Sequence, residues 1–199
     1  SLYDAGLHLP LIVHAPGSAP AVNDAMVSWT DIAPTVLDWT GVAPPAAYKL
    51  SGTSLLPILG KAGDPARDAV VASHDFHEIN QYYPMRSIRT RTHNYILNLA
   101  WQLPYPIAGD VAGSPSWKAI SADPALPLGK RSQAAYLQRP AEELYDLTRD
   151  PDELVNVAAD PAYAAIKAQL AERLRAIRGE TRDPWLAGQT DPYSHVGQH

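Results

Sequence analysis

Hydrophobic and polar positions change character partway along the chain. Up to about residue 75 the apolar residues come as short runs and one helical stripe. Leu9-Pro10-Leu11-Ile12-Val13-His14 is an apolar run closed by Ala15-Pro16-Gly17, which predicts a buried strand followed by a turn. Thr30 or Asp31 caps a helix that carries Pro34 in its first turn and stops at Gly41. Ile32, Val36 and Trp39 share one face of that helix. Ser54 to Leu59 predicts a second, shorter helical piece. Asp68 to Phe76 predicts another buried strand, polar at its C-terminal end.

Beyond residue 76 the period shortens. Residues 85–91 and 94–99 alternate across a brief polar turn and predict an antiparallel hairpin. Residues 101–140 are rich in Pro, Gly, Ser and Ala with little periodicity, which predicts a long irregular excursion. Residues 143–147 predict a short strand. Asp160-Pro161 opens the clearest helix, 161–178, with Tyr163, Ile166, Leu170, Leu174 and Ile177 on one face and Gly179 at its end. The expected organisation is therefore α/β. Residues 1–75 form the end of a layered α/β unit, and 76–185 form a small antiparallel sheet packed by one long helix. Residues 186–199 form a loose tail.

Composition narrows the functional classes. The net charge is −5 and Lys and Arg form no long run, which argues against nucleic acid as the main partner. No apolar run approaches the roughly 18 residues that a membrane span needs. There is no cysteine, so disulfides, thiolate metal sites and a cysteine nucleophile are excluded within these 199 residues. The compartment stays open. The 19 prolines favour ordered loops over a helical bundle.

Four motifs fall in a telling order in the first third of the chain. Leu2-Tyr-Asp-Ala-Gly6 leads into the apolar run at 9–13. Val27-Ser-Trp-Thr-Asp-Ile-Ala-Pro-Thr-Val-Leu-Asp38 follows, and then Gly52-Thr-Ser-Leu-Leu-Pro57. Near the end stand Glu143-Leu-Tyr-Asp-Leu147, Asp150-Pro-Asp-Glu153 and Asn156-Val-Ala158. Together, over residues 1 to about 185, these resemble the C-terminal region of the sulfatase family. Within it, His77-Glu78, Tyr83-Pro-Met-Arg-Ser87, Leu103-Pro-Tyr-Pro-Ile107 and Glu180-Thr-Arg-Asp-Pro-Trp185 are most similar to the sulfamidase branch, the heparan N-sulfatases. The resemblance implies the closing elements of an alkaline-phosphatase-like α/β sandwich plus the small C-terminal sheet. It implies hydrolysis of an N- or O-sulfate on a sugar such as glucosamine, in a periplasmic, secreted or lysosomal type of compartment.

The resemblance also implies chemistry that these residues do not spell out. Family members use a formylglycine, made from a Cys or Ser in a Cys/Ser-x-Pro-x-Arg motif, and a divalent cation, usually calcium. No such motif occurs here: Ser18-Ala-Pro20 lacks the Arg, and Ser114-Pro115 has the wrong spacing. The paired carboxylates that hold the family's metal are not found either. The family's sulfate-contacting basic residue lies just upstream of the Tyr-Asp-x-Gly segment, which starts here at Tyr3. The expectation is a chain without its N-terminal catalytic region, with calcium and formylglycine belonging to a full-length parent, and with no catalytic or metal-binding residue of its own.

What remains near chemistry is His74, His77, Glu78 and Arg86, at or just past the carboxyl end of the strand that closes near Phe76, where ligands collect in α/β sheets. In the sulfamidase-like reading His77 and Glu78 line a glucosamine pocket. All four also have a structural reading, as strand-end caps or, for Arg86, as a buried partner of a carboxylate. Two alternatives stay open: a carbohydrate- or sulfate-binding module without catalysis, and a related phosphonate or phosphate hydrolase. A preparation of these 199 residues alone should release no sulfate, with or without calcium; turnover above a buffer blank would overturn the reading.

Overall fold

The computed structural model describes residues 1–17, 19–44, 46–77 and 81–187, which cluster into two compact units. One comprises 1–7, 72–88 and the chain from 92 onward, and the other 8–71 with 89–91. The expected loose tail falls almost wholly outside the described residues.

The first unit is built on a four-stranded antiparallel sheet in the order β1 (Ala69–His77), β2 (Gln81–Thr90), β3 (His93–Asn98), β4 (Glu142–Asp146). The predicted hairpin is β2–β3, though β2 begins earlier than the alternation suggests and runs through Pro84. β3 and β4 pair with Tyr95 opposite Leu144 and Ile96 opposite Glu143. Because side chains alternate along a strand, this register sorts the sheet into two faces.

On one face Tyr83, Met85, Ile96 and Tyr145 pack with Leu2, Tyr3 and Ala100 into a core cluster. A short helix, α1 (Asp4–Leu7), follows Tyr3. Three polar anchors hold this N-terminal segment. The Tyr3 hydroxyl donates to Glu143 Oε2 at 2.8 Å, Asn94 Nδ2 donates to the Leu2 carbonyl at 2.9 Å, and the Asp4 amide donates to Glu153 Oε2 at 2.5 Å. Glu153, of the Asp-Pro-Asp-Glu motif, sits at φ 55° and is buried, with Asn94 Nδ2 on its other oxygen. That motif is therefore a latch between the N-terminal segment and β3.

On the opposite face, where Tyr95 and Leu144 lie, β3 meets the long helix. Asp160 accepts from the Ala162 amide at 2.9 Å, Pro161 opens a 3-10 turn, and the chain continues as α6 (Ala164–Glu180), with Leu170 and Leu174 buried. Three short helices, α3 (Gly109–Gly113), α4 (Pro115–Ser121) and α5 (Gln133–Leu137), order the excursion before it. Gln133 Nε2 ties α5 to the Ile120, Asp123 and Leu126 carbonyls. Gly179 does not end α6, as the sequence suggested. The helix runs one residue further, and the left-handed backbone falls at Arg182.

In the second unit α2 (Ile32–Thr40) ends at Gly41 in the left-handed conformation, as expected. Ser28 caps the 3-10 turn that precedes it, in a reciprocal capping box with Asp31. Two expectations fail. The run at 9–14 is not a strand: it has no ladder partner among the described residues, and Ile12 is 91% exposed. The Ile32, Val36 and Trp39 stripe is not the packed face of α2 either, since Val36 and Trp39 stand exposed. The helix packs through Thr35, whose hydroxyl accepts from the Leu55 amide at 2.9 Å, one residue before the 3-10 turn Leu56–Ile58.

Asp31 organises this unit. Its carboxylate accepts from the Ser28 and Thr53 amides and from Arg67 Nη1, while Arg67 Nη2 caps the Thr53 and Ser54 carbonyls. The approach of the two loops requires glycine at 52, where a Cβ would stand 2.2 Å from the Thr30 carbonyl oxygen. Gly52→Ala should therefore destabilise this unit by roughly 1–3 kcal/mol in urea unfolding followed by tryptophan fluorescence. Gly113→Ala, where a Cβ meets open space, is the comparator. Equal midpoints for the two variants would show that the Asp31 loop relaxes freely.

Candidate functional site

A cleft of about 300 Å³ opens where β1 ends. His74 and His77 come from β1, Gln81 opens β2, Tyr105 and Tyr136 come from the excursion, and Ser1 completes the rim. Strand alternation alone would put His74 and His77 on opposite faces, yet both reach the cleft because it lies at the strand's end. Phe76 is exposed beside them and Val111 adds a second apolar patch.

His74 is the most defined polar group there. Its Nδ1 lies 3.0 Å from the Tyr83 carbonyl oxygen. A carbonyl only accepts, so Nδ1 carries the proton and Nε2 keeps a lone pair. Burial pushes the imidazole pKa down, and the Tyr83 carbonyl and Asp75 only partly oppose it. His74 is thus a neutral imidazole near pH 7, able to accept a hydrogen bond through Nε2. Pro84, next to Tyr83, brings no N–H to the sheet, and a side chain takes up the neighbouring carbonyl at that point.

The structure brings His74 and His77 together and takes Arg86 elsewhere. Arg86 Nε and Nη2 bind the two oxygens of Asp183 at 2.8 and 3.0 Å, and Nη1 binds Asp75 Oδ1 at 2.7 Å and the Met85 carbonyl at 2.8 Å. Its guanidinium also lies 4.8 Å from the Trp185 ring centroid. Its described contacts are with carboxylates, backbone carbonyls and a ring, the kind its structural reading expects. Glu78 lies outside the described residues.

Asp183 explains the Glu180-Thr-Arg-Asp-Pro-Trp185 stretch. It also accepts from Arg178 Nε at 2.7 Å and from the Trp185 amide at 3.0 Å, while Trp185 Nε1 donates to the Tyr82 hydroxyl at 2.8 Å. The stretch clamps the end of α6 to β2. Sequence reasoning missed Tyr136 as a cleft residue and Arg139 behind it. Tyr136 stands in α5, a helix too short to show a period, Arg139 follows it, and no motif marks either.

The chain superposes on a 2-O GAG sulfatase with a TM-score of 0.51 over 78% of this chain and 25% of that one, at 24% identity. These are the closing elements of the alkaline-phosphatase-like sulfatase fold. Residues 1–102 match the family described as N-sulphoglucosamine sulphohydrolase, C-terminal, and the chain belongs to that family. It is 34% identical to human N-sulphoglucosamine sulphohydrolase over 94% of its length, and 30% identical to mouse arylsulfatase K over 89%. It spans 39% of the former's length and 26% of the latter's.

The sulfatase family implies calcium and formylglycine. The chain has no cysteine and no serine in a Ser-x-Pro-x-Arg motif, and among the described residues no three His, Asp or Glu side chains converge as a cation site requires. These residues fit neither group.

The Asp183 clamp carries a pH signature. Burial raises its pKa, but hydrogen bonds from Arg86 and Arg178 outweigh this and hold it below the ordinary 3.8. A depressed carboxyl contributes stability above its unfolded value and loses that contribution as pH falls through the folded one. Asp183→Asn should cost about 3 kcal/mol at pH 7, because it leaves the buried Arg178 guanidinium without a carboxylate and Arg86 with Asp75 alone. The gap in urea stability between the two proteins should narrow below pH 3.8. A gap independent of pH would overturn the assignment.

Proposed function

We propose that this chain is the C-terminal part of a sulfatase-type hydrolase that removes a sulfo group from an amino sugar, such as an N- or O-sulfated glucosamine. The cleft at the end of β1 is the sugar-binding wall, with His74 and His77 as its polar contacts; Glu78, next to His77 in the sequence, is the third polar residue of the reading. The observation that carries this reading is the fixed tautomer of His74, which aims an acceptor at ligand hydroxyls beside the rings of Tyr105 and Tyr136. Apolar walls with a few oriented polar groups are what a sugar ring needs.

Two further observations support it. In the sulfatase family the basic residue that touches sulfate precedes the Tyr-Asp-x-Gly segment; Ser1, two residues before Tyr3, stands on the cleft rim. The name of the human relative specifies an N-sulphated glucosamine. Nucleophile and metal would come from a part of the protein other than these residues. Residues 8–71 would close the catalytic α/β domain, a role consistent with exposed apolar side chains such as Ile12, Val22 and Trp39.

The test uses the full-length protein, a sulfated glucosamine and a simple aryl sulfate. His74→Ala and Glu78→Gln should each lower kcat/KM for the sugar by about tenfold, the worth of one lost hydrogen bond. Aryl sulfate hydrolysis should change little. Equal losses on the two substrates would mean that these residues only support the strand end.

A further inference from the structure

Arg139 stands where the excursion returns toward β4, and it is only 2% exposed. Its guanidinium lies 3.6 Å from the Tyr105 ring centroid, and 5.0 and 5.3 Å from those of Tyr3 and Tyr136. Nε donates to the Tyr136 carbonyl at 3.2 Å and Nη1 approaches Met85 Sδ at 3.4 Å. Nη2 is buried with no hydrogen-bond partner. Among the described residues no carboxylate lies within ion-pair distance. Glu143, the buried carboxylate of the same core, is bonded instead by Tyr3, Tyr145 and Asn98.

Such a site is unusual, because a buried cation ordinarily finds a carboxylate or shifts the fold to reach water. Here π faces and neutral acceptors hold the charge without cancelling it. Two of the three rings around it, Tyr105 and Tyr136, also line the cleft. Burial is the main cause that lowers the His74 pKa; the Ser1 amino group adds to it, and Arg139 adds least.

We infer that Arg139 is a positioning residue for an anionic ligand: its buried charge, in direct contact with no carboxylate, sets a positive potential in the cleft. The cleft then prefers a sugar carrying a sulfo, sulfate or carboxylate group to a neutral sugar of the same size. This rests on the cleft being the sugar site. A desolvated charge behind a low-dielectric wall acts at longer range than one in water, so direct contact is not required.

The experiment uses the full-length protein with glucosamine N-sulfate as substrate and N-acetylglucosamine as a competing neutral sugar in the aryl sulfate assay. Arg139→Met, which keeps volume and removes charge, should raise KM for the sulfated sugar by about tenfold. It should leave kcat and the inhibition constant of N-acetylglucosamine within roughly twofold. Arg139→Lys should recover most of the lost KM. If Arg139→Met does not fold, Arg139→Gln, which can still donate to the Tyr136 carbonyl, takes its place. An equal loss for sulfated and neutral sugars, or a fall in kcat alone, would overturn the inference and leave Arg139 a packing residue. If His74→Ala raises the sugar KM and Arg139→Met does not, this inference alone fails. If His74→Ala has no effect, the cleft reading fails with it.

Discussion

A carboxylate cannot be buried unless donors converge on it, and the first unit is arranged around that constraint twice. Glu143 is met by the Tyr3 and Tyr145 hydroxyls and by Asn98, and Glu153 by Asn94 and the Asp4 amide. Burial and the neighbouring Glu143 push both phenols above their ordinary range, so they stay protonated and able to donate. The donors come from residues 3–4, β3 and β4, elements far apart in sequence. Satisfying the two charges therefore fixes where the N-terminal segment lies, and Ser1 is carried to the cleft rim as a consequence.

Most of the motifs that point to the family turn out to be devices of this kind. The Tyr-Asp-x-Gly segment, the Glu-Leu-Tyr-Asp strand and the Asp-Pro-x-Glu turn form one network. The Glu180 to Trp185 stretch forms another, around Asp183, and the Ser28 to Asp31 capping box with Gly52 and Arg67 forms a third. Their shared chemistry is a buried or half-buried carboxylate accepting from several segments at once. The motifs thus identify the architecture, while the cleft is lined by side chains that carry little motif of their own.

That division explains what was legible in the sequence. The β2–β3 hairpin, the strand at 142–146 and the long helix were readable because alternation and the Asp160-Pro161 cap are local signals. The run at 9–14 misled because hydrophobicity specifies a need for cover and not its source; with no partner strand among the described residues it forms no ladder. Gly179 misled because a helix stops where its last carbonyls are satisfied, here by the Arg178 and Asp183 turn. Of the candidate site, His74 and His77 were visible as polar ends of an apolar strand. Tyr136 and Arg139 were not, since their meaning depends on a fold of the excursion that has no periodicity to read.

Arg86 and Arg139 show how the same side chain divides between structure and recognition. Both are buried and both lie against aromatic rings. Arg86 faces two carboxylates that take up its donors and cancel its charge, so its field ends within a few ångströms and it acts as a fastener. Arg139 has neutral acceptors, three rings and an idle Nη2, so its charge stays available to the space beyond Tyr105 and Tyr136. Desolvating a guanidinium without a counter-ion lowers stability, and no packing gain in this core demands it. A cost of that kind is intelligible where the missing counter-ion arrives with the ligand.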